Sequence, residues 1–437
     1  MKGNIFLGGV VGYCPSACEF SNITNSMPLN AKAETSTSGT IFAGGIAAYI
    51  PAEKTASFSN ITNNGAITTD SGNSTNGTYV GGGFGNVKSQ ITATDITNNG
   101  DISVTASTKM ANTLSLGGIV GQNDTAHGSY TNLTNNGNLT VKKGGGSYKG
   151  IYLGGIAGGQ PAGEDATHTH FNCVNNGDIT LEKGVESAAN IRVGGCLAWV
   201  KAGYCDKLKN TGDIYMHANT AAGNYQLLLG GVFSYNASTL ATNCAGENGG
   251  YINTGNILVT VGTPGSTNSF ATTIGGVCGA HNGNLKNAIN TGNITFTGDY
   301  GTANSSIGGI IGYGSGQGTV ENCKQYGDIL VYPEKTPTDT KYAAVTGMIA
   351  GSTRIEAVGK STARTAVVRN CQLGGRLGTA IVAGEEDADG NTVSGPNWKI
   401  FTADNFYENI YRGTNSWAEG SDYDGCSVLS EKPTLPW

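Results

Sequence analysis

The side chains best placed to do chemistry are acidic residues that recur at one kind of turn. Asp101, Asp178, Asp213 and Asp328 each follow the glycine that closes a polar run, while Asn138, Asn256 and Asn293 hold the same place elsewhere. If successive runs stack, Asp178 and Asp213 come within about 5 Å, the carboxylate separation of a retaining glycosidase. Parallel β-helix lyases likewise set acidic residues on adjacent coils to hold calcium. Asn replaces Asp freely in this column, however, so the turn needs a hydrogen-bond acceptor rather than a charge. His168 and His170 alternate as two ligands on one strand face would, with Glu164 and Asp165 close by. A zinc or nickel site needs further donors converging, and His127, His217 and His281 fall in unrelated stretches. The pair is read as surface-loop histidines. The acidic stretch at Asp387, Asp389 and Asn391 lacks EF-hand spacing and reads as a solvated turn. No G-x-S-x-G, H-E-x-x-H or phosphate-loop motif occurs. The sequence therefore assigns no catalytic, cofactor-binding or metal-binding residue.

A repeat carries these residues. Glycine pairs inside apolar runs begin at Gly8, Gly44, Gly81, Gly117, Gly154, Gly194, Gly230, Gly275 and Gly308, with Thr346-Gly347 as a degenerate tenth. The period is about 37 residues, in the range of solenoids and arrays. A second marker is the turn glycine at Gly65, Gly100, Gly137, Gly177, Gly212, Gly255, Gly292 and Gly327. Two positions after it stand Ile67, Ile102, Leu139, Ile179, Ile214, Ile257, Ile294 and Ile329, and four after it Val104, Val141, Leu181 and their counterparts. That alternation marks a strand with one buried face. Four positions before the glycine run Ile61, Ile96, Leu133, Cys173, Leu208, Tyr251, Ala288 and Cys323, a second inward column. Leu116, Leu153, Val193, Leu229 and Ile274 make a third, beside the glycine pairs.

Three apolar strands per repeat describe one coil of a parallel β-solenoid, right-handed by the crossover preference. The expected fold is all-β, with about ten three-stranded coils over residues 1–380 and an aromatic-rich capping segment over 381–437. Phe406/Ile410 and Tyr407/Tyr411 at i, i+4 predict one short helix within Thr402 to Gly413. The turn glycine is expected to supply a positive φ. Asn63, Asn98, Asn135, Asn175, Asn210, Asn253 and Asn290, with Gln325 in the ninth repeat, are expected to bond along the axis as an amide ladder. Three longer stretches, 160–170, 234–250 and 332–342, read as loops, where a solenoid places its binding surface.

Composition narrows the function. Charged residues make up only 13% of the chain and the net charge is −6, which argues against a nucleic-acid partner. No apolar run reaches the ~18 residues that would insert in a membrane. Cys173, Cys323 and Cys371 share a slot filled elsewhere by Leu or Ile, so they read as small buried apolar residues, as do Cys196 and Cys278 beside glycine pairs. Cys14 and Cys18 could pair with each other. The first residues enter a repeat at once, and the Asn/Thr/Gly-rich composition suits an extracellular surface, so an export signal is expected upstream. A threonine row suited to ice binding starts at Thr62, Thr97 and Thr134 but gives way to Val174, Lys209 and Ile252. Asn22, Asn60 and Asn132 match glycosylation acceptors but fall inside the repeat motif and are read as structural.

The stretches IGGVCGAHNGNLKNAINTGNITF (Ile274 to Phe296) and IGGIIGYGSGQGTVENCKQYGDILV (Ile307 to Val331) resemble the GLUG-type repeats of large bacterial surface proteins. The resemblance covers residues 5–380, and the tail resembles the ends of Bacteroidetes surface proteins. It implies an adhesin-like, secreted or cell-surface stalk. The expected function is thus a non-catalytic surface module that presents loops to a glycan or a surface protein and needs no cofactor. A polysaccharide-degrading β-helix enzyme and a filament subunit that associates end to end are the alternatives.

Overall fold

The computed structural model describes residues 3–14, 17–32, 39–52, 55–71, 76–107, 113–124, 127–159, 167–200, 203–220, 225–236, 246–262, 270–298, 306–315, 318–333, 345–352, 367–381, 397–402 and 423–437. They form an all-β parallel solenoid. One turn is typified by the strands Thr78–Gly81, Phe84–Val87, Gln90–Asn98 and Ile102–Thr105. Each pairs in parallel with its counterparts one repeat earlier and one repeat later. The first sheet stacks ten strands in chain order, from Ile5–Gly8 to Val345–Gly347. In the fourth sheet Ile102 sits between Ile67 and Leu139, and Leu139 beside Ile179. All four are at most 1% exposed, so identical slots do become continuous apolar spines.

Four findings depart from expectation. First, most turns hold four strands, not three. The glycine pair is a corner that divides its apolar run between the first and second sheets, as at Thr78–Gly81 and Phe84–Val87. A Cβ on Gly118 would lie 2.0 Å from the Gly155 carbonyl oxygen and 2.4 Å from Asn135 Cγ, so backbone and ladder leave room only for hydrogen. Second, among the described residues about seven turns carry the full pattern rather than ten. They are those with Asn63, Asn98, Asn135, Asn175, Asn210, Asn253 and Asn290, while Met27 and Gln325 mark altered turns toward the ends.

Third, the turn glycines do not lie in the left-handed region. They are needed because a Cβ on Gly100, Gly137 or Gly177 would fall 2.0–2.2 Å from the preceding turn's carbonyl oxygen. Positive φ belongs instead to Asn22, Asn60, Asp95, Asn132, Asn172, Lys207, Asn287, Asn322 and Asn370, at 49–56°. Short polar side chains tolerate that conformation best. It inserts a bulge into the long third-sheet strand: in Thr55–Asn63 both Phe58 and Ile61 face inward, although three residues apart. The amides of this column link turns as well, Asn60 Nδ2 donating to Asn22 Oδ1 and Asn172 Nδ2 to Asn132 Oδ1. This is a structural use for residues that also match glycosylation acceptors.

Fourth, the expected helix lies outside the described residues except at Thr402, which ends a strand. That strand, Asn397–Thr402, runs antiparallel to Arg376–Ile381, across the boundary drawn at residue 380. Tyr423–Asp424 and Ser427–Val428 then add parallel strands next to Val367–Arg369 and Gln372–Leu373. From Leu429, whose N–H donates to the Leu373 carbonyl, the chain returns along the solenoid. At its far end Trp437 Nε1 donates to the Gly249 carbonyl, and Lys209 Nζ donates to the Trp437 carbonyl. Ile252 and Ile289 lie in the same outward row as Lys209 and are nevertheless buried.

Candidate functional site

Each member of the acidic column uses one side-chain oxygen to hold turns together. Asp101 Oδ1 accepts the Asn138 N–H, Asn138 Oδ1 that of Asp178, Asp178 Oδ1 that of Asp213, and Asp213 Oδ1 that of Asn256, at 2.7–2.9 Å. The series continues through Asn256, Asn293 and Asp328 to the N–H of Arg376. Carboxylate and amide oxygens serve equally in this chain of acceptors, which explains their interchange. Asp178 and Asp213 are thus neighbours, as the stacking requires. Asp213 Oδ2 also accepts from the Tyr215 hydroxyl.

A few ångströms inward runs the amide ladder. Nδ2 of each Asn from Asn25 to Asn290 donates to the side-chain oxygen one turn on, ending at Gln325, at 2.7–2.9 Å. From Asn63 onward the second amide hydrogen goes to the carbonyl of the turn glycine, at 2.8–3.0 Å. Each buried amide is therefore satisfied, and the ladder sits directly over the second glycine of each pair.

His168 and His170 are not surface-loop residues. They lie in the strand Thr167–Asn175, at 2% and 0% exposure, in slots that hold Gly128 and Tyr130 one turn earlier. His170 stacks on Tyr130, with ring centroids 4.8 Å apart, and His168 Nδ1 meets Asn123 Nδ2 at 3.1 Å. Burial holds His168 down to about 4 and His170 to about 3, so both rings are neutral at neutral pH. The bulge at Asn172 hid their direction, because it puts His170 and Cys173 on the same face across an odd spacing. His281 is buried too, its pKa lowered by burial to about 4. Among the described residues no group of three or more His, Cys, Asp or Glu could hold a metal ion. Glu164, Asp165 and the acidic stretch 387–391 lie outside the described residues, as do most of the three expected binding loops.

Cys173, Cys196, Cys278, Cys323 and Cys371 are buried free thiols, and Cys14 is joined to Cys18 by a disulfide. Burial pushes the Cys173 thiol up to about 12, so it is an apolar filler and not a nucleophile.

Aromatic rows on the outside of the first two sheets were not anticipated. Phe6, Phe42 and Tyr79 occupy one outward slot on successive turns, with centroids 5.1 Å and 5.6 Å apart. Tyr13 and Tyr49 of the second sheet lean against them, with Tyr49 4.8 Å from Phe42 and Tyr13 44% exposed. Farther along, Tyr152, Trp199, Tyr235 and Tyr313 form another half-exposed group. Between the groups the row turns polar: Asn86 and Gln122 both donate to the Asp124 carboxylate. The signal was available in sequence as the residue two before each glycine pair (Phe6, Phe42, Tyr79, Tyr152) and the residue five after its first glycine (Tyr13, Tyr49, Trp199, Tyr235, Tyr313). Compared with known protein families, curated proteins and solved structures, the chain gives no match.

Proposed function

We propose that the chain is a non-catalytic, adhesin-like module of an extracellular or cell-surface protein, a rigid solenoid whose flank binds a glycan. The observation that carries this reading is the pair of aromatic groups on the outer flank, in which every ring but the buried Phe42 is at least partly exposed, with Phe6, Phe42 and Tyr79 at one-turn spacing. Flat ring faces pack on sugar C–H groups, and neighbouring polar groups fix orientation. This reading adds a sheet flank to the loops expected from the sequence, most of which lie outside the described residues. Engagement of the acidic column as turn acceptors supports a role without turnover. The resemblance to GLUG-type repeats points the same way, and we infer a right-handed winding from the crossover preference. A glycan array with the purified protein, run beside a polysaccharide depolymerisation assay, tests the proposal. Binding without turnover is expected; shortening of any polysaccharide would replace this reading with the enzymatic one.

A further inference from the structure

Among the described residues, one cation on the outer flank has no counter-charge. Arg192 occupies the outward slot of the strand Ile191–Gly194, between Tyr152 and Leu228 of the neighbouring turns. Its guanidinium carbon lies 4.1 Å from the Trp199 ring centroid, 5.2 Å from that of Tyr235 and 5.6 Å from that of Tyr152. Trp199 and Tyr152 are nearly parallel, 15° apart, with centroids at 6.3 Å. Three N–H donors in this cage, Arg192 Nε and Nη1 and Trp199 Nε1, are buried without an acceptor among the described residues. Burial lowers the guanidinium's basicity, with Tyr152 and Tyr235 acting in the opposite direction and offsetting only part of it.

Aromatic faces attract a cation by about 1–2 kcal/mol, less than the several kcal/mol it costs to desolvate an ion. Arg remains charged in such a setting. The rings therefore hold the side chain in place without neutralising it. Arg192 is only half-buried, so the cage remains open to solvent on one side.

We propose that Arg192, Trp199, Tyr152 and Tyr235 form a subsite for an anionic sugar, a uronate or a sulfated residue of an acidic polysaccharide. The planar fork of donors matches a carboxylate or sulfate, and the rings on adjoining turns supply faces for the sugar itself. An acidic peptide is the weaker candidate. The strand bearing Arg192 is paired on both sides, leaving no open edge for a peptide to join by backbone hydrogen bonds. This inference rests on the glycan-binding reading and narrows it.

The test measures binding of the whole chain to polygalacturonate, dextran sulfate, neutral dextran and polyglutamate. Wild-type protein is expected to bind the first or the second, and which of them it binds separates carboxylate from sulfate recognition. Arg192→Gln, which keeps an uncharged planar amide but removes the charge and the guanidinium fork, should weaken that binding roughly 10- to 100-fold, with the melting temperature little changed. Trp199→Phe should weaken it too and should abolish a ligand-induced change in tryptophan fluorescence, which keeps the test intact if Arg192→Gln fails to fold. Equal binding by wild type and Arg192→Gln, or capture of polyglutamate alone, overturns the subsite. Binding of neutral glycans alone overturns it while leaving the proposed function standing. Binding of no saccharide at all defeats both.

Discussion

Asn135 shows what a single side chain contributes. Its Oδ1 accepts from Asn98, while its Nδ2 serves both Asn175 and the Gly137 carbonyl. Asn135→Ala would leave buried groups on two neighbouring turns without a partner, each costing about 1–3 kcal/mol. Urea denaturation should show that loss, and Asn135→Asp should be worse because a carboxylate cannot donate. On the outer column the expectation reverses. Asp178→Asn keeps the acceptor for the Asp213 N–H and should leave the midpoint unchanged, whereas Asp178→Ala should lower stability by about 1 kcal/mol. A larger effect of Asp178→Asn would show that the charge matters after all.

The buried histidines give the residue scale a pH signature. Unfolded imidazoles titrate near 6.5, whereas burial holds His168 near 4 and His170 near 3 in the fold. Below about pH 6.5 the unfolded chain therefore takes up protons that the folded chain refuses. Stability should be flat above neutrality and fall toward pH 4, at up to about 1.4 kcal/mol per pH unit for each ring. His170→Phe keeps the stack on Tyr130 and should flatten the slope of melting temperature against pH. An unchanged slope would place the acid sensitivity elsewhere.

At the scale of the element, the glycine corner and the bulge decide how a repeat folds back. Gly118 lies between the Gly155 carbonyl and the Asn135 side chain, with no room for a methyl group. Gly118→Ala should therefore cost at least about 3 kcal/mol, measured by denaturant midpoint. Asn132, at a φ of 56°, is replaceable in principle by glycine but not by a β-branched residue. Asn132→Gly should be nearly neutral and Asn132→Val clearly destabilising. Both variants lose the amide link to Asp95, so the opposite ranking would mean that backbone strain does not limit this position.

At the scale of the whole molecule, the terminal segment ties the far end of the solenoid to its middle. Lys209 packs on the Trp437 ring at 5.7 Å and donates to its carbonyl, along the row that holds Ile252 and Ile289. Trp437→Ala should expose part of that apolar row, seen as increased binding of a hydrophobic dye with a melting temperature only a few degrees lower. No rise in dye binding would mean that other residues cover it.

Periodicity alone made the solenoid, its inward columns and the amide ladder legible, because a stacked repeat forces identical slots to share one environment. For that reason the sequence alone places Asn63, Asn98 and Ile102. The direction of His168 and His170, the corner at each glycine pair and the cage around Arg192 were decided only by tertiary structure. Each depends on a local break in alternation or on side chains from different turns converging, and neither leaves a periodic trace in one chain.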